Sequence, residues 1–195
     1  MPRWKPNPQA RLERAALELF STQGFAETTV AQIAAHAGLT TRSFFRHFPD
    51  KREVLFAAEE EGSTAGAEDT TAFMTPTNLM QSIERGLLAS ASKYEGRLEY
   101  LRTRQRVIES DEGLRERELR KRDDLSTAMI KDFKKLGVDD LKSTLAAKIA
   151  VSIFSTAMTN WINQKSNKKL SEFVQESLDS YYSIDSNIRS DAEPG

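Results

Sequence analysis

Hydrophobic positions recur along this chain at helical spacing, and no segment shows the alternation of a strand. Leu12, Ala16, Leu19 and Phe20 make the first stripe. Asn7 and Pro8 supply its cap and first helical position, and Gly24 closes it. Phe25, just past that glycine, suits the hydrophobic contact of a C-terminal cap. Val30, Ile33, Ala34 and Ala37 make a second, shorter stripe, opened by a Thr29/Gln32 capping box and ended at Gly38, where a left-handed turn is free of Cβ strain. Thr40 caps a third helix. Phe44 and Phe48, four apart, share its inward face, and Thr41, Arg42, Ser43, Phe45, Arg46 and His47 fall on the other. Pro49 stops it. Asp50 caps a fourth helix, with Glu53 completing another capping box, running from near Lys51 through Val54, Leu55 and Ala58 to Glu59-Glu60-Glu61.

Residues 62–75 are rich in Gly, Ser, Thr and Ala and read as a linker, which divides the chain into a head over 1–56 and a body over 57–195. The body is helices only. Thr75 and Pro76 open one with Met80, Ile83, Leu87, Ala91 and Tyr94 on a face, broken at Gly96. Leu98, Leu101, Gln105 and Ile108 mark the next. Ser110 caps a highly charged helix ending at Gly137, in which Glu116–Arg120 and Glu118–Arg122 stand at i,i+4, the mark of a solvated face. Asp139 or Asp140 caps a stretch carrying Leu141, Leu145, Ile149, Ile153, Ala157 and Trp161. It is apolar nearly all round, so it is expected to be buried on more than one side. Leu170, Phe173, Val174, Leu178, Tyr181 and Tyr182 mark the final helix. The expected class is all-α, a three-helix head followed by a larger helical body.

Composition narrows the chemistry. The 195 residues include no cysteine, so disulfides and thiolate metal sites are excluded. No stretch reads as long and apolar enough to span a bilayer, and the start, MPRWKPNPQ, lacks the apolar segment of a signal peptide; a cytoplasmic protein without membrane partners is expected. The net charge is −1, but residues 1–56 carry 8 Lys+Arg against 5 Asp+Glu, and the remainder 20 against 24. A basic front on an acidic back fits a nucleic-acid-binding head. There is no GxSxG elbow, phosphate-cradling loop or cluster of metal ligands, and the only histidines are His36, expected on the surface, and His47. No enzyme, metal site or cofactor is expected.

A helix with a dry back and a cationic front, propped by a shorter helix through a glycine turn, is the layout of a helix-turn-helix DNA reader, although plain helical bundles share such small cores. The run ALELFSTQGFAETTVAQIAAHAGLTTRSFFRHFPDKREVLF goes further. Its Phe20–Gly24–Phe25 corner, Thr-Thr-Val start, Ile33-Ala34, Ala37-Gly38-Leu39 and His47-Phe48-x-x-Lys51 end resemble the tetracycline-repressor (TetR) family of one-component transcriptional regulators. The resemblance covers roughly the first third of the chain. It implies a homodimer whose two heads read a palindromic operator in double-stranded DNA, with a small-molecule effector bound in the body and a repressor released by it. A ligand-independent DNA-organising or partner-recruiting protein with the same head is the alternative.

Carried over by position, the resemblance implies DNA contacts from Thr29, Thr40, Thr41, Arg42, Ser43, Phe45, Arg46, His47 and Lys51. Thr29 and Thr40 stand at helix starts, where hydroxyl and backbone N–H groups meet phosphate, and His47 and Lys51 match phosphate-contacting positions. Thr41, Arg42 and Ser43 should reach base edges; Arg42 can fork onto guanine or hold a phosphate, and both remain open. Phe45 stands where relatives commonly have tyrosine, so it offers packing against sugar or a thymine methyl and no hydroxyl. Arg42 replaces what is often a small residue or proline. The expected pocket lining is Met80, Leu87, Leu101, Met129, Phe133, Phe154, Met158 and Trp161, with an inward arginine among Arg97, Arg102, Arg104 and Arg106 as a candidate for an anionic ligand. The expected dimer face is Ile149, Ile153, Trp161, Phe173 and Tyr181.

Overall fold

The computed structural model describes residues 7–57 and 79–191, with side chains as far as Ile184. Its described residues form eight α-helices and one 3-10 turn, with no strand. These are α1 Pro8–Gln23, α2 Val30–His36, α3 Thr41–His47, the 3-10 turn Glu53–Leu55, α4 Leu79–Ser92, α5 Leu98–Glu109, α6 Glu112–Lys135, α7 Asp140–Asn163 and α8 Leu170–Asp191. The 62–75 linker, the Thr75–Pro76 helix start and the Glu59-Glu60-Glu61 run lie outside the described residues.

Two compact units emerge, Met1–Thr64 with Glu99–Leu119, and Ala65–Leu98 with Arg120–Gly195. The first unit thus takes in nearly all of α5 and the start of α6, which the sequence assigns to the body. The reason is a shared core: Val107, Ile108 and Leu114 are buried in one cluster with Leu12, Phe20, Ile33, Phe44, Phe48 and Phe56.

The local signals of the head act as the sequence implies. The Asn7 side chain accepts from Gln9 N–H at 3.1 Å. The Thr29/Gln32 capping box is complete, and Thr40 accepts from Ser43 N–H at 3.1 Å. Gly24 and Gly38 take φ of 91° and 63°. Phe20 and Phe25 meet at 5.1 Å between ring centroids across the first of these corners. α2 packs on α1 and carries α3, and α1 also touches α3 and the 3-10 turn.

Three expectations fail at helix starts. Residues 51–56 form a turn and the short 3-10 segment, not the first turns of an α-helix. Asp50 does cap it, accepting from Arg52 and Glu53 N–H at 2.7 and 3.2 Å, but Glu53 does not close a capping box. Its carboxylate takes Arg117 Nε and Nη2 at 2.8 and 2.9 Å, a two-point charged pair stronger than one backbone bond. α6 is opened by Asp111, which accepts from Leu114 N–H at 3.0 Å, while Ser110 turns back onto the Val107 carbonyl.

In the second unit α4, α7 and α8 pack on one another. α7 buries Ala146, Ala147, Ala150, Ile153, Ala157 and Trp161. The small residues let its backbone approach its neighbours closely, and Ser143 hides by donating to the Val138 carbonyl at 3.2 Å. Leu141 and Leu145, the first two residues of the expected stripe, are instead 70% and 51% exposed. The expectation that no stretch could span a bilayer is also corrected, since α7 has 24 residues and a mean hydropathy of 1.2 over its best window. Its buried alanine-rich face against α4 and α8 accounts for that apolarity as the core helix of a helical unit.

Candidate nucleic-acid interface

α3 is built to show one face. Phe44 and Phe48 are 0% and 1% exposed, 5.3 Å apart, and fix the helix to the core. Thr41, Arg42, Phe45 and Arg46 are exposed on the far side, and Ser43 is half-buried. Phe45, 55% exposed, stands edge-on to Phe44 at 5.6 Å, which holds an apolar ring out in water among cations. Among the described residues neither Arg42 nor Arg46 has a hydrogen-bond or ion-pair partner. The face therefore carries two uncommitted positive charges and no acid.

The remaining candidates are more committed. The Thr29 hydroxyl accepts from Gln32 N–H at 3.2 Å and lies 3.0 Å from its Oε1; the Thr40 hydroxyl is shared between Ser43 N–H and Ser43 Oγ. Both threonines hold helix starts in place before they hold anything else. His47 is half-buried and its Nε2 is shielded without a partner.

Lys51 is the most heavily bonded of the candidates. Its Nζ donates to the carbonyls of Phe25 at 2.7 Å, Thr28 at 2.8 Å and Ala26 at 3.4 Å, and lies 4.2 Å from the centre of the Phe25 ring. Burial pulls its pKa below the ordinary 10.5, against the opposing pull of Asp111 and Glu27.

Sequence reasoning passes over two further side chains that set the geometry. Gln23 Nε2 reaches Thr28 Oγ1 at 3.1 Å and Gln32 Oε1 at 3.3 Å, tying the end of α1 to the start of α2. Arg11 donates through Nη2 to the carbonyls of Ala37 and Gly38, closing the α2–α3 turn. A Cβ on Gly38 would sit 2.9 Å from that nitrogen, which the flexible end of Arg11 can yield; what requires the glycine is its φ of 63°. His36 is exposed as expected, 3.1 Å from Glu18.

In the second unit, Leu87, Phe133 and Trp161 are buried, while Met80, Met129, Phe154 and Met158 are half-buried. Leu101 is buried too, within the first unit. The Phe154 ring lies tilted against Tyr94, 5.9 Å between centroids. Arg104, offered by the sequence as a partner for a ligand, is 3% exposed and spends its guanidinium on the Leu55 carbonyl and Glu118. Of the residues expected at a dimer face, Trp161 and Ile153 are buried within the chain, and the Trp161 indole donates to the Lys168 carbonyl at 3.1 Å. Ile149, Phe173 and Tyr181 are half-buried.

Residues 13–58 match the family described as bacterial regulatory proteins, tetR family. The HTH-type transcriptional regulator TcmR of Streptomyces glaucescens is 30% identical over 152 residues, 74% of this chain and 66% of that protein, so the match spans just under two thirds of that relative's length. Among solved structures, NalD, the secondary repressor of the MexAB-OprM multidrug efflux pump in Pseudomonas aeruginosa, gives a TM-score of 0.60 at 18% identity, covering 90% of this chain and 93% of that one. FadR of Thermus thermophilus, a TetR family transcriptional repressor in complex with lauroyl-CoA, gives 0.53 at 19%, covering 87% and 91%. At such identities the likeness is one of fold. Taken with the capped, glycine-turned head, the matches assign the head: residues 13–58 belong to the tetR family of bacterial regulatory proteins.

Proposed function

We propose that this protein is a sequence-specific transcriptional repressor that binds a palindromic operator as a homodimer and leaves it when a small molecule binds the helical body. The observation that carries the reading is the exposed face of α3, where Arg42 and Arg46 stand without a protein partner on a helix anchored by Phe44 and Phe48. Such a face fits the major groove: Thr41, Arg42 and Ser43 in the first turn meet base edges, Phe45 packs on a thymine methyl or sugar, and Arg46 meets phosphate. Thr29 and Thr40 present their helix starts to the backbone. One such head covers half a site. Two related by a two-fold axis read a palindrome with half-sites about one turn, roughly 34–36 Å, apart.

The dimer face belongs on α7 and α8, at the residues those helices leave outward. Leu141, Leu145 and Tyr182 take the place of Trp161 and Ile153, which their own chain covers. FadR holds lauroyl-CoA in its structure, and we infer a small-molecule effector here by likeness of fold. Release then follows as a population shift: an effector that binds the DNA-incompetent arrangement more tightly weakens DNA binding, and DNA weakens the effector by the same factor. With DNA as its partner we read the protein as cytoplasmic, and as a regulator and not an enzyme.

The test is a footprint on the DNA upstream of the protein's own coding sequence at low salt. Two symmetric protected half-sites are expected. A dimer that protects nothing there, and selects nothing from a random pool, overturns the reading.

A further inference from the structure

Lys51 is the expected DNA contact that the fold engages with the most bonds. An ammonium has three N–H donors and no acceptor. Here three carbonyls, of Phe25, Ala26 and Thr28, lie within 3.4 Å of it. They belong to the turn between α1 and α2 and converge because that turn is short: Thr28 N–H bonds back to the Phe25 carbonyl at 3.3 Å, and the buried Thr28 hydroxyl to the Gly24 carbonyl at 2.7 Å. The Phe25 ring, packed on Phe20, closes one side of the cup at 4.2 Å from the nitrogen. The contact joins residues 23 to 26 positions apart in sequence, so it fastens the end of the head to its first corner.

We propose that Lys51 is a positioning residue for DNA binding and not a phosphate contact: its ammonium clamps the α1–α2 turn and thereby fixes how α2 carries the reading helix α3. This rests on the DNA-binding reading above. A phosphate could recruit Lys51 only by drawing its ammonium off the carbonyls it already serves, of which those of Phe25 and Thr28 are partly buried. Gln23 grips the same turn from the α1 side through Thr28 and Gln32. The start of α2 is therefore held from both ends of the head. α2 in turn packs against α3, so a slack turn displaces the whole reading face and not one contact on it.

Two measurements test this on the full-length dimer and a duplex that it selects from a random pool. In the wild-type protein, cross-hydrogen-bond NMR couplings from Lys51 Nζ to the Phe25 and Thr28 carbonyl carbons are expected both free and on DNA. Their replacement on DNA by a coupling to phosphorus overturns the inference. In Lys51→Met, which keeps an apolar stem, affinity is expected to fall about tenfold for all sequences alike. Amides of the 25–29 turn should exchange faster, while log K against log salt keeps its wild-type slope. A slope shallower by about 0.9, the signature of one lost phosphate contact, overturns the inference. Unchanged affinity in a folded Lys51→Met dimer overturns it as well. A wild-type dimer that ignores every duplex is a different failure. It removes the DNA reading itself, while the carbonyl couplings of the free protein still report whether the clamp exists.

Discussion

Replacing Arg104 by methionine tests the buried polar work of the first unit. The side chain is 4% exposed, its Nε 2.7 Å from the Leu55 carbonyl and its Nη2 2.9 Å from Glu118. The guanidinium lies 5.0 Å from the centre of the Phe56 ring, and that of Arg117 lies at the same distance. Methionine keeps much of the stem volume and removes every donor. The Leu55 carbonyl then loses a charge-assisted bond, a loss of about 1.5–3 kcal/mol. Breaking a fully buried ion pair costs about 3–5 kcal/mol, but the Glu118 side chain, 16% exposed, recovers some hydration and brings its share lower. These contributions overlap, so about 3 kcal/mol is expected for the unit. The assay is native-state hydrogen exchange at Leu12, Phe20 and Ile33, which belong to the same core. Glu118→Leu paired with Arg104→Met should lose less than the two single variants together, because no carboxylate is left stranded. A change below about 0.5 kcal/mol in Arg104→Met, the scale of an ordinary surface substitution, refutes the reasoning.

Arg42→Ala should relax preference at one base pair per half-site by about 1–3 kcal/mol if the guanidinium reads guanine; a loss equal across sequences in a binding selection makes it a phosphate clamp. Gly38→Ala should destabilise the head by about 1–3 kcal/mol through its φ of 63°, read by urea unfolding. Leu145→Asp should shift the dimer toward monomer in sedimentation without loss of fold, whereas Trp161→Asp should unfold the second unit, because its indole is buried and bonded to the Lys168 carbonyl. Burial raises the Asp50 carboxyl, but the hydrogen bonds from Arg52 and from the backbone of Arg52 and Glu53 outweigh it and hold the pKa below 3.8. The folded value lies under the unfolded one, so this cap stabilises fully well above pH 3.8 and fades as pH falls through and below it. Asp50→Asn should flatten stability against pH in that acid range, as followed by circular dichroism.

The head was legible because its signals are short-range. Asn7, Thr29, Gly24, Gly38 and Thr40 act within four residues of where they stand, and Phe44 and Phe48 share a face by helical spacing alone. The body was legible as helices, but which side of each faces inward was not. α7 carries apolar residues nearly all round, so its pattern could not separate Ala147 and Ala150, at 0% exposure, from Leu141 at 70%. α5 misled in the opposite way. Leu101 and Ile108 bury beside Arg104, where a residue-type reading prefers Gln105 as the mild polar neighbour. Only the Leu55 carbonyl and Glu118, 49 and 14 residues away, make a buried arginine tolerable, and no local window contains them.

The cations of the first unit share a cause for their misplacement. Helix ends and the turns between them leave carbonyls that no helical ladder satisfies. Long positive side chains reach them without needing an acid nearby. Arg11 takes those of Ala37 and Gly38, Lys51 those of the 25–28 turn, Arg104 that of Leu55, and Arg115 that of Glu109. Sequence reports the sign of a charge but not which of these claims comes first. What remains among the described cations of residues 7–57, once carbonyls and the Arg52–Asp50 pair are served, is Arg14, Arg42 and Arg46. Two of the three stand on the outer face of α3. For them a phosphate or a guanine is a first partner, opposed only by side-chain entropy of about 2 kcal/mol, whereas for Lys51 it would be a replacement for three bonds already made.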